Sequence, residues 1–307
     1  MSRNVMLATA AVTAVALTES PGLDRMGYPN HTATQKTVQS DAVVVGKVTA
    51  IEKEEVEVLP HQGAADKAKM RVAIIKVETG LVGARNVTHV KVLIPGAAAE
   101  QPAVEPGAGG PFGRRRAYQF DNGAVVLKES QEGLFFLVRH PTAVNYYAIS
   151  PAFAPVDPKA DTYKDDVAKV KAVVATFADP LAALTADKAE DRMTAAAVLI
   201  QKYRRGSSVP AKEVAIPAEE TKAILKAMLD ADWTAAEKPQ PGVVLDYQAQ
   251  PANLMSLLGL YPGANGFPAV VQKPGESYAA KYQEVFKAWH AKSGDKFEIK
   301  KFVPTDK

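Results

Sequence analysis

The sequence predicts an α+β protein whose front half is built of strands and whose back half is built of helices. Three observations carry this. Five short β-branched runs fall between residues 42 and 149, separated by Gly and Pro. After Pro158 the apolar spacing changes from about two to about 3.6 residues. The chain has 307 residues, 47% of them hydrophobic, more than one core normally organises, which points to two domains.

Residues 1–16 predict a cleavable signal peptide. Arg3 supplies a positive n-region, Val5 to Thr13 is an apolar stretch, and Ala14-Val15-Ala16 is a small-x-small cleavage site that leaves Leu17 at the new N-terminus. The stretch is shorter than the about 20 residues a membrane-spanning helix needs, and no later segment reaches that length. The chain is therefore expected to be exported, to the periplasm or outside the cell, and not membrane-spanning. Residues 17–37 are polar, carry Pro21, Gly22 and Pro29, and read as a lead-in, with a strand beginning near Thr37.

The strand domain is expected over 38–156. Its runs are 42–51, 70–78, 87–94, 133–138 and 146–149. In the third, Val87, Val90, Val92 and Ile94 stand among polar residues, so one face should be wet. The fourth, Gly133 to Val138, is apolar throughout and should be central. Gly80 and Gly83 punctuate the link from the second run to the third. Glu52, Lys53, Glu54, Glu55 and Glu57 mark an exposed strand end or turn. A long loop, 95–123, rich in Pro and Gly, separates the third run from the fourth.

The helical domain is expected over 157–307. Val167, Val170, Val174 and Phe177 form one stripe of a helix over 161–177, started by Asp161 or Thr162. Asp179-Pro180 opens a short helix. Asp187 and Glu190 resemble a capping box for a helix bearing Met193, Ala196, Ile200 and Tyr203, with Arg204 and Arg205 at its negative end and Gly206 as its stop. Further helices are expected at 217–230, 251–260 and 277–292, the last ended by Gly294, with 297–303 as a closing strand or extended tail. Tyr282 and Trp289 should pack the last helix.

Ser40 to Val48, with its Gly46-Lys47-Val48, resembles the opening strand of netrin-like, tissue-inhibitor-of-metalloproteinase-like OB barrels. Ile75 to Gly83 and Glu132 to Leu137 resemble later strands of the same barrels. The likeness covers about residues 38–150 and implies an N-terminal antiparallel OB-like β-barrel. It carries no functional residue across, because the animal inhibitors act through an N-terminal cysteine and this chain has none. Asp179 to Arg204 and Trp289 to Ile299 resemble short HEAT-like helical repeats, which implies an all-α back half.

Composition excludes several chemistries. Without cysteine the chain has no disulfide, thiol nucleophile, Cys-ligated zinc or iron–sulfur cluster, which suits an exported protein. A net charge of +3, from 37 basic and 34 acidic residues, is too small and too evenly spread for a nucleic-acid partner. His31, His61, His89, His140 and His290 show no metal-ligand spacing, although His61, His89 and His140 could still converge across the fold. Ser130 and Ser207-Ser208 lack a nucleophile-elbow context. Gly107 to Gly113 lacks the Lys-Ser/Thr of a phosphate-binding loop. Asp165-Asp166 and Glu219-Glu220 suit the positive ends of helices.

No catalytic residue, metal site or cofactor is therefore expected. The residues that stand out are Arg114, Arg115 and Arg116, with Tyr118 and Phe120 downstream. They make either a solvated loop or an anion-binding patch. Tyr146 and Tyr147 are expected at the barrel rim, where they could also stack a sugar. The expected function is a non-enzymatic binding or interaction module of the cell envelope, its partner an envelope protein or an anionic glycan. A hydrolase with an unrecognised site is the alternative.

Overall fold

The computed structural model describes residues 31–61, 63–96, 125–205, 211–237 and 249–305. Its front half holds strands β1 (Ala42–Ile51), β2 (Val56–Val58), β3 (Ala68–Val82), β4 (His89–Pro95), β5 (Glu132–Arg139) and β6 (Tyr147–Ala148). β1 pairs with β3 on one side and β5 on the other. β3 pairs on to β4, β4 to β6, and β6 back to β5, so five strands close a barrel, with β2 added beside β3. The β4–β6 pair is parallel and the rest are antiparallel. This closed order is compatible with an OB-like barrel.

The pleat explains why the fourth predicted strand carries no polar residue in its middle. In β5, Phe135 and Leu137 point into the barrel with Val44, Val48, Ile75, Val92 and Ile94. Leu134 and Phe136 point outwards and are buried by Ala33, Phe153 and Val170. β5 is thus apolar on both faces because both faces are covered. β4 is covered on one: Val90, Val92 and Ile94 are buried while His89 and Lys91 are exposed, the wet face expected.

Two glycines serve close packing or a turn. A side chain on Gly46 would place its Cβ 2.3 Å from the carbonyl oxygen of Lys76 on β3. Gly83 turns with φ +63°, a conformation glycine adopts without strain. Gly80, expected in the link, lies within β3, which runs on to Val82.

The residues before the barrel are a helix rather than a lead-in entering a strand near Thr37. α1 (Ala33–Val38) starts with a capping box. Thr32 Oγ1 accepts from the Gln35 N–H at 3.2 Å, and Gln35 Oε1 accepts from the Thr32 N–H at 2.8 Å.

The back half contains α2 (Tyr163–Ala178), α3 (Pro180–Leu184), α4 (Ala189–Arg204), α5 (Ala218–Asp230), α6 (Pro251–Leu257) and α7 (Tyr278–Ser293). Asp179 caps α3 by accepting from the Ala182 N–H at 3.0 Å. Leu199, Ile200, Ile224, Leu225, Met228, Leu254, Phe286 and Trp289 fill the helical core. Trp289 also donates its Nε1–H to the Asn265 carbonyl at 3.0 Å.

Two features depart from expectation. The start of α4 has Lys188 at its N-cap and no side-chain cap. Arg192 instead donates to the Ala186 and Asp187 carbonyls, each at 2.9 Å, and fixes the entering chain from within the helix. The back half is also not all-α, because β7 (Ala211–Ala215) pairs antiparallel with β8 (Lys300–Pro304). Among the described residues no helix is long and apolar enough to cross a membrane.

α1 and α2 join the halves. Val167, Val170 and Val174 of α2 pack on the outward face of the barrel. Val173, one face round, meets Val38 of α1 and Val198 of α4, with Phe177 alongside. The apolar stripe predicted for α2 is therefore divided between two cores.

Candidate functional site: a cleft at the barrel–helix seam

Where α1, the end of β5 and the C-terminal ends of α4 and α6 come together, the seam opens into a cavity of about 660 Å³. Its apolar wall is Val38, Val138, Phe153 and Leu257. Its polar groups are the amides of Gln39, Gln201 and Asn253, the Ser150 hydroxyl, and the guanidinium groups of Arg204 and Arg205. Among the described residues no carboxylate and no histidine belongs to this wall. Helix spacing explains the α4 contribution: residues 201, 204 and 205 share one face of its last turn.

The two arginines differ. Arg204 is held on all sides: Nη1 donates to Glu213 Oε1 at 2.8 Å and to the Lys300 carbonyl at 3.3 Å, and Nε donates to the Leu257 carbonyl at 3.1 Å. Its guanidinium lies 4.8 Å from the Phe302 ring centre. The hydrogen bond from Arg204 is the main cause holding the Glu213 carboxyl below the usual range. Arg204 is thus a fixed strut of positive charge. Arg205 is tied, among the described residues, at Asp41, through Nη1 to Oδ1 at 3.4 Å, and a guanidinium carries five donors.

Lys202 adds a third cation behind the wall. Its ammonium is half-buried, 5.5 Å above the Phe177 ring, and reaches the Ser40 carbonyl at 3.5 Å. Burial pushes its pKa down; Arg205 pushes the same way and Asp41 opposes. Among the described residues Arg204, Arg205, Lys202 and Lys300 thus face two carboxylates in this region, Asp41 and Glu213. Part of the positive excess answers the negative end of the α4 dipole.

Among the described residues no acid–base pair of side chains faces the cavity.

Arg114, Arg115 and Arg116, with Tyr118 and Phe120, lie outside the described residues. His140 is buried in the turn after β5, where its Nδ1 accepts from the Ala143 N–H at 3.2 Å, and burial lowers its pKa. His89 is exposed on β4 and His61 on a turn. Among the described residues no three His, Asp or Glu side chains are grouped to hold a metal ion. Tyr146 and Tyr147 are half-buried near the rim, Tyr147 against the barrel core. Asp165, Asp166, Glu219 and Glu220 do lie in first turns of helices, but Glu220 is buried and accepts from the Tyr203 hydroxyl.

Sequence reading assigned Arg204 and Arg205 to ending a helix and missed the cleft. The available signal was two arginines in a row, where one would answer the helix dipole. No protein-family model matches the chain, and no curated protein is a recognisable relative.

Proposed function

We propose that this protein is an exported, non-enzymatic binding module of the cell envelope that holds an acidic sugar of an anionic glycan in the seam cleft. The observation that carries the reading is the cleft's wall. The Gln201 amide and the Ser150 hydroxyl can match sugar hydroxyls, the Arg205 guanidinium suits a carboxylate, and apolar surface can cover a ring face. Among the described residues the wall holds no acid–base pair, which favours binding over the alternative of a hydrolase.

The rest of the reading rests on sequence and topology. Arg3, the apolar stretch Val5 to Thr13 and Ala14-Val15-Ala16 support export. The closed strand order with its one parallel pair supports an OB-like front half, and the consecutive packed helices α3, α4 and α5 support a HEAT-like back half.

The test is calorimetric titration of the full chain with uronic-acid oligosaccharides and with neutral oligosaccharides of equal length. Binding of the acidic series alone is expected, weakening as salt rises and lost in Gln201→Trp, which fills the cavity. Equal binding of the neutral series, or unchanged binding in Gln201→Trp, would sink the reading. Shortening of the oligosaccharide during incubation would restore the hydrolase.

A further inference from the structure

A second pocket, of about 350 Å³, lies where α1 meets α2 and the barrel, and it includes none of the seam cleft's residues. Lys36, Lys169, His31 and Thr32 face it, with Asp166 as its carboxylate. Lys36 is the unusual member. Its ammonium is half-buried and sits 5.5 Å over the ring of Phe136. Among the described residues it donates no hydrogen bond, and no carboxylate oxygen comes within 4.0 Å of it. Burial lowers its pKa, and Asp166 offsets this only in part. An ammonium carries three donors, and those of Lys36 open onto the pocket.

The neighbours define what would answer them. Lys169 brings a second ammonium and His31 a ring nitrogen. Thr32 spends its oxygen as the acceptor for Gln35 but keeps its own proton to donate. These groups favour a compact oxyanion. Asp166 sets the further condition, because a carboxylate repels an anion that has no proton to offer and accepts a hydrogen bond from one that has. Near neutral pH sulfate has none, whereas hydrogenphosphate keeps one.

We propose that this pocket binds a phosphate group that retains a proton, with Lys36 and Lys169 as its cationic partners and Asp166 as the acceptor that rejects sulfate. Free inorganic phosphate meets this condition at about pH 7, whereas a phosphate monoester, with its second pKa at about 6, has mostly lost its proton there. The site stands independently of the glycan reading.

The experiment is titration calorimetry of the full chain near pH 7 with inorganic phosphate, sulfate and glycerol 3-phosphate, in the wild type and in Lys36→Met, Lys169→Gln, Asp166→Asn and Arg205→Ala. Phosphate is expected to bind with sulfate at least about tenfold weaker, a difference of one decade in Kd. Lys36→Met should cost at least about tenfold in phosphate affinity, and Asp166→Asn should bring phosphate and sulfate within about twofold. Arg205→Ala, at the other site, should change nothing. Lys169 is exposed, so Lys169→Gln will fold and should weaken phosphate several-fold even where Lys36→Met does not fold. Inorganic phosphate binding well ahead of glycerol 3-phosphate supports the proton requirement, and equal affinity for the two overturns it. Equal sulfate and phosphate affinity in the wild type, phosphate binding indifferent to both lysine variants, or no phosphate binding overturns it.

Discussion

Arg205 and Asp41 stand 3.4 Å apart across the seam, and the same Asp41 carboxylate accepts the backbone N–H of Arg139 at 2.7 Å. One side chain therefore ties the start of β1 to the end of β5 and the end of α4 to both. The two partners should not be equally costly to remove. Asp41→Ala strands a backbone donor and a cation and should cost about 2 kcal/mol. Arg205→Ala removes a partly exposed ion pair and should cost less than about 1 kcal/mol. Urea unfolding measures both, and equal losses would mean that the backbone hydrogen bond contributes little.

Tyr203 donates to Glu220 at 2.5 Å, and Glu220 is only 7% exposed. Burial is the main cause raising the Tyr203 pKa, and the Glu220 hydrogen bond adds to it. The unfolded chain releases a tyrosine proton near pH 10, while the folded chain holds this one. Its contribution to stability is thus complete below about pH 10 and is lost progressively as pH rises further. Tyr203→Phe should cost about 1 to 2 kcal/mol at pH 7. Its Tm should then fall less steeply with pH than that of the wild type above about pH 10. Parallel Tm curves would refute the linkage.

Phe135 fills the barrel interior and is fully buried. Phe135→Ala should cost about 3 to 5 kcal/mol, the usual range for deleting a buried ring. Lys91→Ala on the outward face of β4 should stay within about 0.5 kcal/mol. Chemical denaturation of the two variants tests the assignment of faces, and similar losses would contradict it.

Gly46→Ala is the smallest change with a large expected effect. The added methyl would meet the Lys76 carbonyl, so β1 and β3 must separate, at a cost of about 1 to 3 kcal/mol. An unchanged Tm would show that the strands yield there freely.

Much of the fold was legible because burial leaves a periodic trace. β1 matched its β-branched run from Ala42 to Ile51, and the α2 stripe and the Asp179-Pro180 start of α3 read as they fold. Elements whose determinants are tertiary did not. α1 hides in a polar stretch, where only Thr32 and Gln35 signal a cap. β7 reads Ala-Lys-Glu-Val-Ala, largely exposed, and exists because β8 offers it a partner. Both pockets escaped for the same reason: Gln39, Ser150, Arg205 and Asn253 are far apart in the chain, as are Lys36 and Asp166, and no local pattern records their approach.

The pairing of β7 with β8 has a consequence for synthesis. Residues 211–215 leave the ribosome long before residues 300–304, so the early strand must wait unpaired while α5, α6 and α7 are made. Closure of the helical half is then a late event, and a nascent chain stalled before Lys300 would present an open strand edge to its surroundings.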